Sequence, residues 1–156
     1  MLDHPKDIGD KTVLVVMLAL RMTGRTVLTP FGENTRYDVV VDDGRVFTRV
    51  QCKTGRFRAG AVCFKTSSSY AHHPSPKVRR RGYRGEIDYF GVYCPETGGV
   101  YLVPVDDVPT TDASLRVEPA LNGQNEGIHR ADAYEIARLH SWVVRMPRDD
   151  QTRSPA

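Results

Sequence analysis

The chain has 156 residues, 22 lysines and arginines against 19 aspartates and glutamates, and a formal net charge of +3 at pH 7. Forty per cent apolar and 26% charged residues is ordinary globular composition, which excludes wholesale disorder and a fibrous class. The length suits one compact domain with a single core, here set at residues 1 to 146, with a loose tail over 147 to 156.

In chain order, the first element is a helix over residues 8 to 23, acidic at its start and closed by Gly24, the polarity expected of helix caps. Its apolar stretch TVLVVMLALRM covers only residues 12 to 22, too short to span a bilayer core of about 30 Å, so it reads as a buried helix and no membrane partner is expected. RTVLTPFG then gives a short strand, RYDVVVDDGRVFTRVQCKTG a hairpin turning at Asp42, Asp43 and Gly44, and AVCFKTSSS a further strand. Residues 70 to 84 combine two prolines, His72 and His73, and five basic residues without apolar periodicity, and are expected to form an exposed surface arm. IDYFGVYCPETGGVYLVPV alternates as two strands about a Pro-Glu-Thr-Gly-Gly turn, and HRADAYEIARL reads as a short terminal helix.

Cys52, Cys63 and Cys94 have no CxxC spacing, and an odd count without a secretory leader argues against a disulfide framework and for an intracellular protein. The basic residues fall in two clusters. Arg49, Lys53, Arg56, Arg58 and Lys65 form one; Lys77, Arg79, Arg80, Arg81 and Arg84 form the other, while residues 85 to 135 are mostly acidic or neutral. That polarity points to a partner carrying phosphates, and to a nucleoid-associated location. Hydroxyls at Thr66 and Ser67 can bond a phosphate, and the amides of Asn122 and Gln124 can read base edges.

The hairpin carries the chemistry. Strand side chains alternate faces, so Arg49, Gln51 and Lys53 point one way while Val50 and Cys52 point into the core. Pairing across the turn brings Asp38 near the Gln51 to Lys53 end, gathering a carboxylate, an amide oxygen and an ammonium. Such a trio suits a metal-dependent hydrolase of phosphodiesters. Mg²⁺, with Mn²⁺ as a substitute, takes oxygen ligands, which Asp38, the Gln51 side chain and the Cys52 carbonyl can supply. Lys53 then orients the attacking water or neutralises charge on phosphorus, and Asp10 near the start of the helix is the candidate second carboxylate. Asp88 reads as structural, and His72 and His73 as loop residues.

GD at 9 and 10, YD at 37 and 38, QCK at 51 to 53, KTSSS at 65 to 69 and RGYRGEIDYFGVYCPETGGVYLVP at 81 to 104 resemble the PD-(D/E)XK nuclease superfamily, within it the branch of group I intron-encoded homing endonucleases, related to Holliday junction resolvases. LRVEPALNGQNEGIHRADAYE at 115 to 135 is similar to that branch's C-terminal segment. The resemblance implies a restriction-endonuclease-like α/β fold, a mixed sheet of about four strands flanked by helices. It implies the early-helix acid at Asp10, the motif aspartate at Asp38, the variable position at Gln51 and the lysine at Lys53. Two departures stand out: Asp10 replaces the usual glutamate, and Gln51 the commoner acid. The implied activity is Mg²⁺-dependent cleavage of double-stranded DNA by a homodimer or homotetramer. A junction-resolving nuclease and a catalytically silent DNA-binding protein on the same fold are the alternatives.

Overall fold

The computed structural model describes residues 4–71 and 78–138. Helix α1 runs Pro5–Met22, three residues longer at its start than the acidic pattern suggests. Pro5 needs no hydrogen-bond partner in the first turn, and the His4 ring nitrogen accepts the Lys6 N–H at 3.2 Å as the cap. At the other end Gly24 takes the left-handed conformation (φ +86°) that stops the helix. Thr12, Val16 and Leu20, one turn apart, form its buried stripe.

Among the described residues ten strands follow: β1 (Thr26–Leu28), β2 (Val39–Asp42), β3 (Phe47–Thr54), β4 (Arg56–Arg58), β5 (Ala61–Lys65), β6 (Ser67–Ala71), β7 (Val78–Gly82), β8 (Tyr89–Cys94), β9 (Gly99–Pro104) and β10 (Asp112–Arg116). The main sheet is ordered β1-β2-β3-β8-β9; β3 and β8 are parallel and the other pairs antiparallel. Its first face packs on α1, with Val39, Val41, Val50 and Leu102 against Val16 and Leu20. Gly91 permits the contact: a Cβ there would lie 2.6 Å from a Val16 methyl and 3.0 Å from one of Val50. The second face, carrying Phe90, Val92 and Val103, is covered by Val62, Phe64, Ala113 and Leu115 of the small sheet β10-β5-β4.

The α/β class and mixed sheet agree with the sequence. The main sheet has five strands, and its second face is covered by a small sheet where a second flanking helix was expected. The β2–β3 turn also forms where expected. Asp42 Oδ1 accepts the Gly44 N–H at 2.7 Å, Asp43 Oδ1 accepts those of Arg45 and Val46 at 2.8 and 2.9 Å, and Gly44 supplies φ +88°.

Three expectations need correction. AVCFKTSSS is two strands in different sheets, β5 and β6, parted at Thr66, whose N–H bonds Thr111 and whose hydroxyl bonds Pro109 at 2.5 Å. Part of the supposed arm is an antiparallel ribbon, β6 against β7, with Ser68 opposite Arg81 and Ser69 opposite Arg80. Backbone pairing organises it, so the absence of apolar periodicity hid it. Lys77, His72 and His73 lie outside the described residues. HRADAYEIARL holds two 3₁₀ turns, Ala131–Ala133 and Ile136–Arg138, rather than an α-helix. Between them the Tyr134 carbonyl accepts the Leu102 N–H at 2.8 Å and Glu135 bridges Tyr101, so pairing with the sheet edge outcompetes helix propagation. Residues 147–156 lie outside the described residues.

Candidate active site

Val39 pairs with Val50, which sets Asp38, one residue before β2, opposite Gln51. The Asp38 N–H donates to the Val50 carbonyl at 2.9 Å, and its carboxylate Oδ2 accepts the Cys52 N–H at 2.8 Å. The side chain therefore completes the ladder that the backbone leaves, and this fixes the carboxylate at the end of the hairpin. Burial pushes the Asp38 carboxyl above the usual carboxylate range; the Cys52 N–H and the Lys53 charge pull it down only in part. It is a half-buried carboxyl whose burial outweighs the contacts that favour its charge.

Along β3, Thr48, Val50 and Cys52 are buried and Arg49, Gln51 and Lys53 are intermediate, the alternation expected of the strand. The Cys52 thiol is driven far above its normal range by burial, then by Asp38, so it stays protonated and only its backbone faces the chemistry. The Gln51 amide N–H donates to the Cys52 carbonyl at 3.3 Å. Lys53 reaches across to the β6–β7 ribbon: its Nζ donates to the hydroxyl of Tyr83, the residue after β7, at 3.1 Å and to the Ser67 carbonyl at 3.5 Å.

Asp10 is not drawn into this group. Thr12 faces the sheet, its hydroxyl 2.6 Å from that of Thr54, and two residues of helix turn the chain by roughly 200°. Asp10 is exposed, and among the described residues no hydrogen bond or ion pair joins it to Asp38, Gln51 or Lys53. Nor do the described residues contain a group of three or more His, Cys, Asp or Glu side chains able to hold a metal ion. The donors at hand are one carboxylate, one amide oxygen and one backbone carbonyl. They are all hard oxygens, which fits a Mg²⁺-type cation that keeps most of its waters and shares substrate phosphate, and not a soft metal held by thiolate or imidazole.

The other candidates divide. Arg49 is bound to Asp88, its Nε 3.3 Å from the carboxylate, whose Oδ2 also accepts the Arg49 N–H at 2.8 Å. Lys65 pairs with Asp112 at 2.5 Å and Arg56 with Glu96 at 3.9 Å. Thr66 is 2% exposed with its hydroxyl engaged, so it is closed to a phosphate; Ser67 is nearly as buried and offers its carbonyl to Lys53. Arg58, Arg79 and Arg80 are exposed on their strands. Arg81 pairs with Glu86, and Arg84 bonds the Val108 carbonyl at 3.1 Å. Asn122 and Gln124 are exposed in a loop closed by their own hydrogen bond at 3.2 Å.

Sequence reasoning missed two residues at the site. Tyr83 is 5% exposed, and the Arg36 guanidinium stacks 4.0 Å over its ring. Arg36 in turn bonds Ser68 Oγ at 2.8 Å, the Gly82 carbonyl at 2.6 Å and the Glu86 carboxylate. Arg36 stands two residues before Asp38, which was a local signal; Tyr83 lies 30 residues from Lys53 and carried none.

A mixed sheet with a helix on one face, and with an aspartate set across from Gln-x-Lys where β2 begins, is the restriction-endonuclease-like architecture. The chain belongs to the PD-(D/E)XK endonuclease family, whose model matches residues 3–137, and is thus a DNA endonuclease of a family that generally uses divalent metal ions. Among solved structures it is similar to a bacterial homing endonuclease, I-Ssp6803I, with a TM-score of 0.70 and 24% identity over 86% of this chain and 90% of that one. Comparison with curated proteins gives no match. No helix among the described residues is long and apolar enough to cross a membrane.

Proposed function

We propose that the chain is a Mg²⁺-dependent endonuclease of the homing type, cutting both strands of duplex DNA at the Asp38, Gln51, Lys53 edge of the sheet. The observation that carries this reading is the half-buried Asp38 carboxylate, held by the Cys52 N–H and facing the end of β3 that bears Gln51 and Lys53. A divalent cation bound through Asp38, the Gln51 amide oxygen and the Cys52 carbonyl supplies Lewis acidity toward the phosphate and acidifies water. Asp38 provides the charge that holds it, and burial strengthens that attraction. Lys53, anchored on the far side by Tyr83 and Ser67, directs its remaining N–H at the phosphate oxygen or the attacking water. Asp10 contributes at most through water, from its exposed position on α1. Arg58, Arg79, Arg80 and Lys77 attract the phosphate backbone, and Asn122 and Gln124 probe the bases.

Cleavage of two antiparallel strands uses two copies of one active site, which supports a homodimer or a pair of dimers. Leu14, Leu18 and Met22 form an outward apolar stripe on α1, 63 to 79% exposed, of the kind a second copy would bury. Asp7 near one end and Arg21 near the other would pair in an antiparallel arrangement of two such helices.

The test is cleavage of a random linear duplex library and of a four-way junction in Mg²⁺, with the product ends sequenced. A shared sequence at the ends of linear duplex supports the homing type. Cutting confined to the junction supports a resolvase, and cutting in excess chelator contradicts the metal.

A further inference from the structure

We infer that Tyr83 is the positioning residue for Lys53, and that Arg36 fixes Tyr83 in turn; the inference rests on the active-site reading above. A lysine on a four-carbon stem is a poor catalytic group unless its ammonium is held, because its many rotamers dilute the productive one. In this fold Lys53 has one covalent attachment, on β3, and two contacts to a different part of the chain: the Tyr83 hydroxyl at 3.1 Å and the Ser67 carbonyl at 3.5 Å. Both are acceptors, so they engage two of the three ammonium N–H groups and set the direction of the third.

Tyr83 is suited to this because it is packed on every side the structure describes. It is 5% exposed, meets Phe90 edge to face with centroids 5.6 Å apart, and has the Arg36 guanidinium stacked 4.0 Å over its ring. Arg36 is itself tied to Ser68, Gly82 and Glu86, so all its polar contacts lead back to the ribbon β6–β7 and the turn after it. Two cations thus lie against the ring, the Lys53 Nζ 4.7 Å from its centroid. A purely structural tyrosine would need neither cation. Core packing explains the ring, but not a hydroxyl spent on the ammonium of the motif lysine.

The experiment compares Tyr83→Phe with the wild type in single-turnover cleavage at saturating DNA and Mg²⁺, alongside DNA affinity, thermal midpoint and the NMR signal of ¹³Cε-labelled Lys53. Phenylalanine keeps the ring, its packing and the Arg36 stack, and removes only the acceptor. A hydrogen bond to a charged group is worth enough for a rate loss of roughly ten- to a hundredfold. The inference expects that loss with unchanged affinity and midpoint, and a shifted or broadened Lys53 signal. Arg36→Gln is expected to give a smaller loss in the same parameter. Wild-type rates and an unmoved signal in Tyr83→Phe, with Lys53→Ala inactive, would overturn the positioning role while sparing the active site. Wild-type cleavage by Lys53→Ala would instead remove the active-site reading, and this inference with it.

Discussion

Asp38 does two things at once: it finishes the β2–β3 ladder through the Cys52 N–H, and it sits as a half-buried charge. The two roles separate in an amide. Because burial raises its folded-state pKa above the unfolded value, Asp38 binds a proton more tightly in the fold, and stability falls as pH rises between those two values. The penalty stands in full above the folded-state value. Asp38→Asn keeps an acceptor for Cys52 and carries no charge, so the variant is expected to be as stable as the wild type or more so at neutral pH. The difference should shrink on acidification and vanish below the ordinary carboxylate value of about 3.9. Urea midpoints of both proteins across pH 3 to 8 check this, and a variant less stable at pH 8 than at pH 4 relative to wild type would contradict it. Wild-type cleavage should fail in acid earlier than an unperturbed carboxylate would dictate, with the limb moving lower as divalent cation is raised, since proton and metal compete for one group. Asp38, Gln51 and Lys53 were legible in the sequence because a two-residue period and a short turn fix their relation. Tyr83 was not, since only tertiary packing brings it to Lys53, and Arg36 had only its place two residues before Asp38 to mark it. The exposure of Asp10 depends on which stripe of α1 is buried, a choice that the unbroken apolar run over residues 13–20 leaves open.

Among the elements, α1 and the hairpins β2–β3 and β8–β9 follow from patterning alone: capped helix, alternating strands, turns rich in Asp and Gly. What patterning misses in the layer opposite α1 is its assembly, because β10 pairs with β5 over a long sequence separation and the ribbon β6–β7 has polar side chains on backbone-paired strands. The contact between α1 and the sheet depends on Gly91. Adding a methyl 2.6 Å from Val16 forces the helix outward, so Gly91→Ala is expected to destabilise by about 1–3 kcal/mol, as overpacked cores do. Denaturant unfolding measures it, and an unchanged midpoint would mean that the helix approaches the sheet less closely. Trimming Leu20, fully buried on the sheet-facing stripe of the same helix, to alanine is expected to cost about 2–5 kcal/mol by opening a cavity.

Across the whole molecule, the basic ribbon and the active site share a wall. Ser67, Ser68 and Gly82 of β6 and β7 hold Lys53 and Arg36, while Arg79 and Arg80 on the same ribbon are exposed. Arg81 and Arg84 are already engaged by Glu86 and the Val108 carbonyl, so on this ribbon Arg79 and Arg80 should carry the electrostatic part of binding. Replacing Arg79 and Arg80 by serine is expected to lower the slope of log affinity against log salt by roughly 1.8, at about 0.9 per phosphate contact, with little change in the single-turnover rate at saturation. A salt titration measures it, and an unchanged slope would place the ribbon away from DNA. The central claim, that one hairpin's Asp38 and Lys53 cut DNA with a divalent cation, is tested most directly by plasmid linearisation with wild type, Asp38→Asn and Lys53→Ala, each in Mg²⁺ and in excess chelator. The account predicts cutting by the wild type in Mg²⁺ alone, with both variants folded, able to bind DNA and inactive. Cutting at the wild-type rate by either variant, or by the wild type in chelator, would contradict it.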